Sequence, residues 1–143
     1  MVRKGIGLLV VLLVFSISIT TAFALTELER ATLNDPRLVN AFGVPIGNNV
    51  NVDQQIQITA DITNNQEISQ KFTYLVQIKD KNNFVVKLVW FSGELNPHQE
   101  WSPSISWIPK KSGEFVAEIF VWEGFPVNHK ALSDYTTLQI NVS

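Results

Sequence analysis

The chain has 143 residues, 45% of them apolar, with no cysteine and a formal net charge of −2 at pH 7. Without cysteine, a disulfide framework, a thiolate nucleophile, a zinc–thiolate site and a cysteine-ligated copper centre are all excluded, so stability must come from the core. A weakly acidic chain with scattered lysines offers no clustered basic face to displace counterions from phosphates, which argues against nucleic acid as a partner.

The first segment reads as an export signal. Arg3 and Lys4 give a short positive start, Gly5 to Ile19 is an apolar run softened by Ser16 and Ser18, and Ala22-Phe23-Ala24 is a small-x-small cleavage site. The alternative is an uncleaved anchor, because Gly5 to Ala24 is about the twenty residues a helix needs to cross a bilayer, with the basic residues held in the cytoplasm. Either way the body is expected outside the cytoplasmic membrane, secreted or at the cell surface. Residues 1–24 carry two basic and no acidic side chains, so the rest of the chain has a formal charge of −4 and a length that suits one domain.

Residues 25–36 read as a spacer: Leu28, Ala31 and Thr32 allow a turn or two of helix that is marginal alone, and Asn34-Asp35-Pro36 is a breaker cluster. The folded domain is then expected over 37–143. Leu38 to Phe42 begins a first strand, and Gly43 to Asn49 reads as loop. Gln54 to Thr63 alternates cleanly, with Ile56, Ile58, Ala60 and Ile62 on one face, as in a strand half in a core and half in water. Phe72, Tyr74, Val76 and Ile78 repeat the pattern, and Asp80-Lys81-Asn82-Asn83 is a turn into a hairpin partner from Phe84 to Phe91. Gly93 to Gln99 reads as loop with Leu95 as an inward plug; Ser104 to Ile108 is a short strand with Ile105 and Trp107 on one face, stopped by Pro109. After the turn Lys110-Lys111-Ser112-Gly113, Phe115, Ala117, Ile119 and Val121 mark a central strand. Glu123 to Asp134 is the longest late loop, and Leu138, Ile140 and Val142 give a closing strand. About seven short strands in roughly a hundred residues point to an all-β, antiparallel sandwich of immunoglobulin-like type; an up-and-down barrel fits the uneven loops less well.

The run Leu95-Asn96-Pro97-His98-Gln99 followed by Trp107-Ile108-Pro109-Lys110-Lys111-Ser112-Gly113-Glu114-Phe115 resembles the L-x-P-G … W-x-P-x-x-x-G-x-[YF] core of CARDB-like and related immunoglobulin-like domains of secreted archaeal and bacterial proteins. The resemblance covers roughly Gln54 to Val142. It implies the sandwich fold, and a role as an extracytoplasmic adhesion, spacer or assembly module. The chain departs from the pattern in two places. His98 stands where the family usually has glycine, so that turn is expected to be built differently, and Trp122-Glu123 replaces the more usual acidic ending of the penultimate strand.

No catalytic constellation is found. The only histidines, His98 and His129, lie in two loops; they would have to meet with Glu100, Glu123 or Asp134 to hold a metal, and solvated loop histidines are the simpler reading. No G-x-S-x-G elbow or S-x-x-K arrangement accompanies the serines, and the carboxylates are scattered. Neither a cofactor, a metal site nor an enzymatic activity is expected. The aromatics are the better lead. Phe84 to Phe91 is apolar in both parities with only Lys87 polar, so one face of it is expected to look outward, next to Trp122 and the loop at Phe125. Val85, Val86, Trp90, Trp122 and Phe125 are therefore the candidate surface for a protein partner or for self-association, or a flat stacking platform for sugar rings; the plainer alternative is that these aromatics cover the open ends of the sandwich. The expected function is an exported, non-catalytic binding or assembly module at the cell surface. The alternative is a membrane-tethered accessory subunit of a larger membrane or envelope complex.

Overall fold

The computed structural model describes residues 24–143. The signal or anchor reading falls on residues 1–24 and, apart from Ala24, lies outside the described residues. Ten strands follow a short 3-10 turn at Glu27–Glu29: β1 Ala31–Val39, β2 Pro45–Ile46, β3 Asn49–Val50, β4 Ile56–Asn64, β5 Gln70–Asp80, β6 Val85–Leu95, β7 Glu100–Trp101, β8 Ser104–Trp107, β9 Gly113–Trp122 and β10 Thr136–Val142. Seven of these are four residues or longer. They form two sheets. One runs β2-β1-β4, with β7 and β8 sharing the far edge of β4, and the other runs β3-β10-β9-β5-β6. All pairs are antiparallel except β3 with β10. This is the expected immunoglobulin-like sandwich.

The two-residue period decides which side chains meet. Ile56, Ile58, Ala60 and Ile62 of β4 face Tyr74, Val76 and Ile78 of β5 and Ala117, Ile119 and Val121 of β9, and all of them are buried in one continuous core. Strand β9 is central in its sheet, between β10 and β5, as its apolar pattern predicts. Ile105 and Trp107 are buried on the same face of β8, and the Trp107 ring meets Phe115 edge-on with centroids 5.3 Å apart. At the opposite pole, Trp101 of β7 reaches across to Phe72 and Phe91, with centroids 5.8 and 5.6 Å away.

Four local readings of the sequence are corrected. The spacer 25–36 ends early, because β1 starts at Ala31 and pairs with β4 along its length. Asn34-Asp35-Pro36 does not break the strand: Asn34 sits opposite Asp61 and Arg37 opposite Thr59, so the cluster adds one residue as a β-bulge. Asp35 there takes φ +48, and the bulge leaves Pro36, which has no N–H to donate, outside the ladder. Gly93 does not open a loop either, since β6 continues to Leu95. A Cβ on Gly93 would lie 3.0 Å from the Phe72 ring, so the glycine admits that ring against the strand. Leu95 is buried, as its reading as an inward plug required. Finally, His98 takes φ +56, the left-handed conformation for which glycine is favoured. With Pro97 before it and the Gln99 N–H donating to the Asn96 carbonyl at 3.1 Å, the turn keeps the backbone that a glycine would supply rather than being built differently.

Trp107 is the largest side chain that β8 contributes to the core. Trp107→Ala is expected to lower stability by about 3–5 kcal/mol, through lost transfer energy and the cavity left behind. Chemical denaturation measures this; an unchanged midpoint would show that Trp107 is not a core residue.

Candidate functional site

The outer face of the five-stranded sheet departs from the usual polar outer surface. Register fixes its rows: Trp90 of β6 lies opposite Leu75 of β5, which lies opposite Phe120 of β9, and Thr73 lies opposite Trp122. These belong to the parity that points away from the core. Yet Leu75 and Thr73 are only 3% and 0% exposed. Something covers them, and it is a second, external layer of rings. Phe125 packs edge-on against Trp90 with centroids 4.7 Å apart, Trp122 lies 5.9 Å from Phe125 and 5.5 Å from Phe120, and Tyr135 stacks on Phe120 at 5.3 Å with planes 22° apart. His129 closes the layer, edge-on to both Trp122 and Phe125. Trp90 and Tyr135 remain 44% and 58% exposed, so the layer presents aromatic faces to solvent.

The loop Glu123 to Asp134 builds this layer because it folds back on β9. The Glu123 N–H donates to the Lys130 carbonyl at 2.8 Å and the Leu132 N–H to the Val121 carbonyl at 2.9 Å, while the buried Leu132 plugs the loop into the core. A tether holds it from the side. The Arg30 guanidinium pairs with Glu123 and donates to the Ala131 carbonyl at 3.2 Å, and the Asn128 amide donates to the other Glu123 oxygen at 2.7 Å. The hydrogen bond from Arg30, then that from Asn128, holds the Glu123 carboxyl below its ordinary value. Further along the sheet the outer face turns polar: the Gln77 amide and Lys79 ammonium both donate to Glu118, at 2.8 and 3.0 Å.

Of the five candidate residues, Trp90, Trp122 and Phe125 come together in the ring layer. Val85 and Val86 do not. Residue 86 is the extra residue of a bulge, since Lys87 sits opposite Ile78 and Val85 opposite Lys79. Both valines lie at the far end of β6, 50% and 47% exposed, so neither parity of that end is buried. Val86 instead lines an open groove between β6 and β8 with a volume of about 940 Å³. Phe120, His129 and Tyr135 complete the layer without having been singled out as site residues. Tyr135 shares the outward parity of Thr137 and Gln139, a signal present in the sequence; the position of His129 depends on the fold-back of the loop and has no such signal. The two histidines keep different company: His98 Nε2 lies 2.9 Å from Glu67 Oε1 in another turn. Among the described residues no three His, Asp or Glu side chains gather as a metal site.

The sign of the Glu123 shift sets a pH dependence for the loop. A carboxyl with a lowered folded value contributes stability in full above its ordinary value of 4.5, and loses it as pH falls through the lowered value. On acidification from about pH 6 to about pH 3 the indole N–H signal of Trp122, followed by NMR, is expected to move as the loop loosens. Glu123→Gln should remove that step; an identical titration in the variant would show that the tether does not hold the loop.

No protein-family model and no curated protein matches the sequence. Solved structures do. The CARDB domain of a Pyrococcus furiosus protein, described in complex with di-metal ions, is 18% identical over 82% of this chain and 97% of that one, with a TM-score of 0.54. The C-terminal domain of Wzt is 15% identical over 82% of this chain and 76% of that one, with a TM-score of 0.61. A Paenibacillus cycloisomaltooligosaccharide glucanotransferase, complexed with cycloisomaltoheptaose, matches at 16% identity and a TM-score of 0.61 over 78% of this chain but only 14% of its own. At these identities the likeness is one of fold, and the fold of this chain is the immunoglobulin-like sandwich of CARDB domains.

Proposed function

We propose that the protein is an exported, non-catalytic binding or assembly module at the cell surface, and that the ring layer on the outer face of the five-stranded sheet is its contact surface. The carrying observation is that Trp90 and Tyr135 stay half-exposed on a layer that a folded-back, tethered loop holds in place. Rings whose only task was to cover Leu75 would need less exposed area. Immobilised aromatics lose little further entropy on binding and bury large areas, which is why they dominate protein contacts. The export signature supports the cell-surface part of the reading.

A second reading has its own observation. Gly5 to Ala24 has the length and apolar character of a membrane span, so the same domain would serve as a tethered accessory subunit of a membrane or envelope complex. Amino-terminal sequencing of the native protein separates the two: a start at Leu25 supports the released module, and an intact Met1 end in the membrane fraction supports the subunit.

Trp90→Lys tests the surface itself. Trp90 lies outside the main core, so the variant is expected to keep its fold while co-purification of its partner from native membranes or medium falls at least about tenfold. A folded variant that retains its partner would remove the ring layer from the contact.

A further inference from the structure

We propose that the groove between β6 and β8 docks an extended segment of a partner protein whose side chains alternate between apolar and carboxylate. The site lies apart from the ring layer, at the pole of the sandwich marked by the β5–β6 turn. Its walls are two free strand edges, because β6 is outermost in its sheet and β8 has no neighbour beyond β4 in the other. The backbone of β6 at Val85, Val86 and Lys87 therefore has no strand on its outer side, and an added strand would satisfy it.

The floor is the core itself. Trp107 and Phe115, joined edge to face, are each 8% exposed, and their exposed atoms line this groove together with Val86 and Ile108. An extended segment sends every second side chain to one face, so apolar groups at alternate positions would reach these rings. The rim states the charge of the intervening groups. Lys81, Lys87, Lys110 and Lys111 stand around the opening against Asp80 and Glu114. Asp80 is already occupied, accepting from the Asn82 and Phe84 amides at 2.8 and 3.0 Å, and Lys110 is paired with Asp53 at 2.8 Å. Lys81, Lys87 and Lys111 form no ion pair among the described residues. A net positive rim on a chain that is negative as a whole selects carboxylates. The same charge argues against a second copy as the occupant, since a two-fold contact through this groove would set lysines against lysines.

The test titrates a peptide of about nine residues alternating valine and glutamate into the full chain in a zwitterionic detergent, with a valine–lysine peptide as its charge-reversed control. Expected are shifts of the Val85, Val86 and Lys87 amides and of the Trp107 indole with the glutamate peptide alone. Affinity is expected to fall about tenfold when Lys87→Glu and Lys111→Glu are combined in a variant whose melting temperature is unchanged. Equal binding of the lysine peptide, no shift at millimolar peptide, or shifts confined to Trp90 and Phe125 would each overturn the proposal. So would groove signals that move with protein concentration without peptide, which would make a second copy the occupant.

Discussion

Everything in this molecule depends on burying one face of each sheet against the other, because no disulfide ties them together. The inner residues of β4, β5 and β9 meet in a single apolar layer, and that layer is the principal source of cohesion. The sheets, however, are not equally wide. Strands β7 and β8 share one edge of β4, end to end, so one sheet is four strands across where the other is five. The wider sheet overhangs, and β6 is the strand that overhangs.

The two poles answer that mismatch differently. At one pole Trp101 reaches over and closes the gap against Phe72 and Phe91. At the other, β8 carries its tryptophan inward toward Phe115 and leaves the end of β6 uncovered, so a groove remains. The outer ring layer has a separate cause. Leu75 and Thr73 on the outward parity need cover, and the long loop after β9 supplies it, pinned by Leu132 from within and by Arg30 from outside. Within the layer Trp122 and Phe125 are largely spent on cover, whereas Trp90 and Tyr135 keep much of their area in solvent.

The strands that carry a strict two-residue alternation were legible from sequence alone, β4, β5, β9 and β10 above all, because period and burial are local properties of a half-buried strand. The misreadings came where a single residue has two meanings. Asn34-Asp35-Pro36 is turn chemistry in a loop and bulge chemistry inside a strand, and only pairing with β4 distinguishes them. Gly93 reads as a breaker until Phe72 is placed beside it. For the candidate surface, the fold brings the rings of Trp90, Trp122 and Phe125 together, while Val85 and Val86 lie at the far end of β6, where a bulge opposite Ile78 also shifts their pairing with β5. A register shift of this kind depends on a partner strand and leaves no mark on the strand's own sequence.

The positions of the two ends of the described domain carry a mechanical consequence. The Ala31 N–H donates to the Leu132 carbonyl, which sets the start of β1 beside the start of β10, whereas Ser143 lies at the other end of β10, where it is bonded to Val50 and Val52. Seven residues of strand separate the two points, about 23 Å. Tension applied between Ala31 and Ser143 would therefore run nearly along the strands. The ladders of β1 on β4 and of β10 on β9, with the parallel clasp of β3 on β10, would be sheared as sets instead of being peeled one bond at a time. A sandwich loaded in that direction gives way late and all at once.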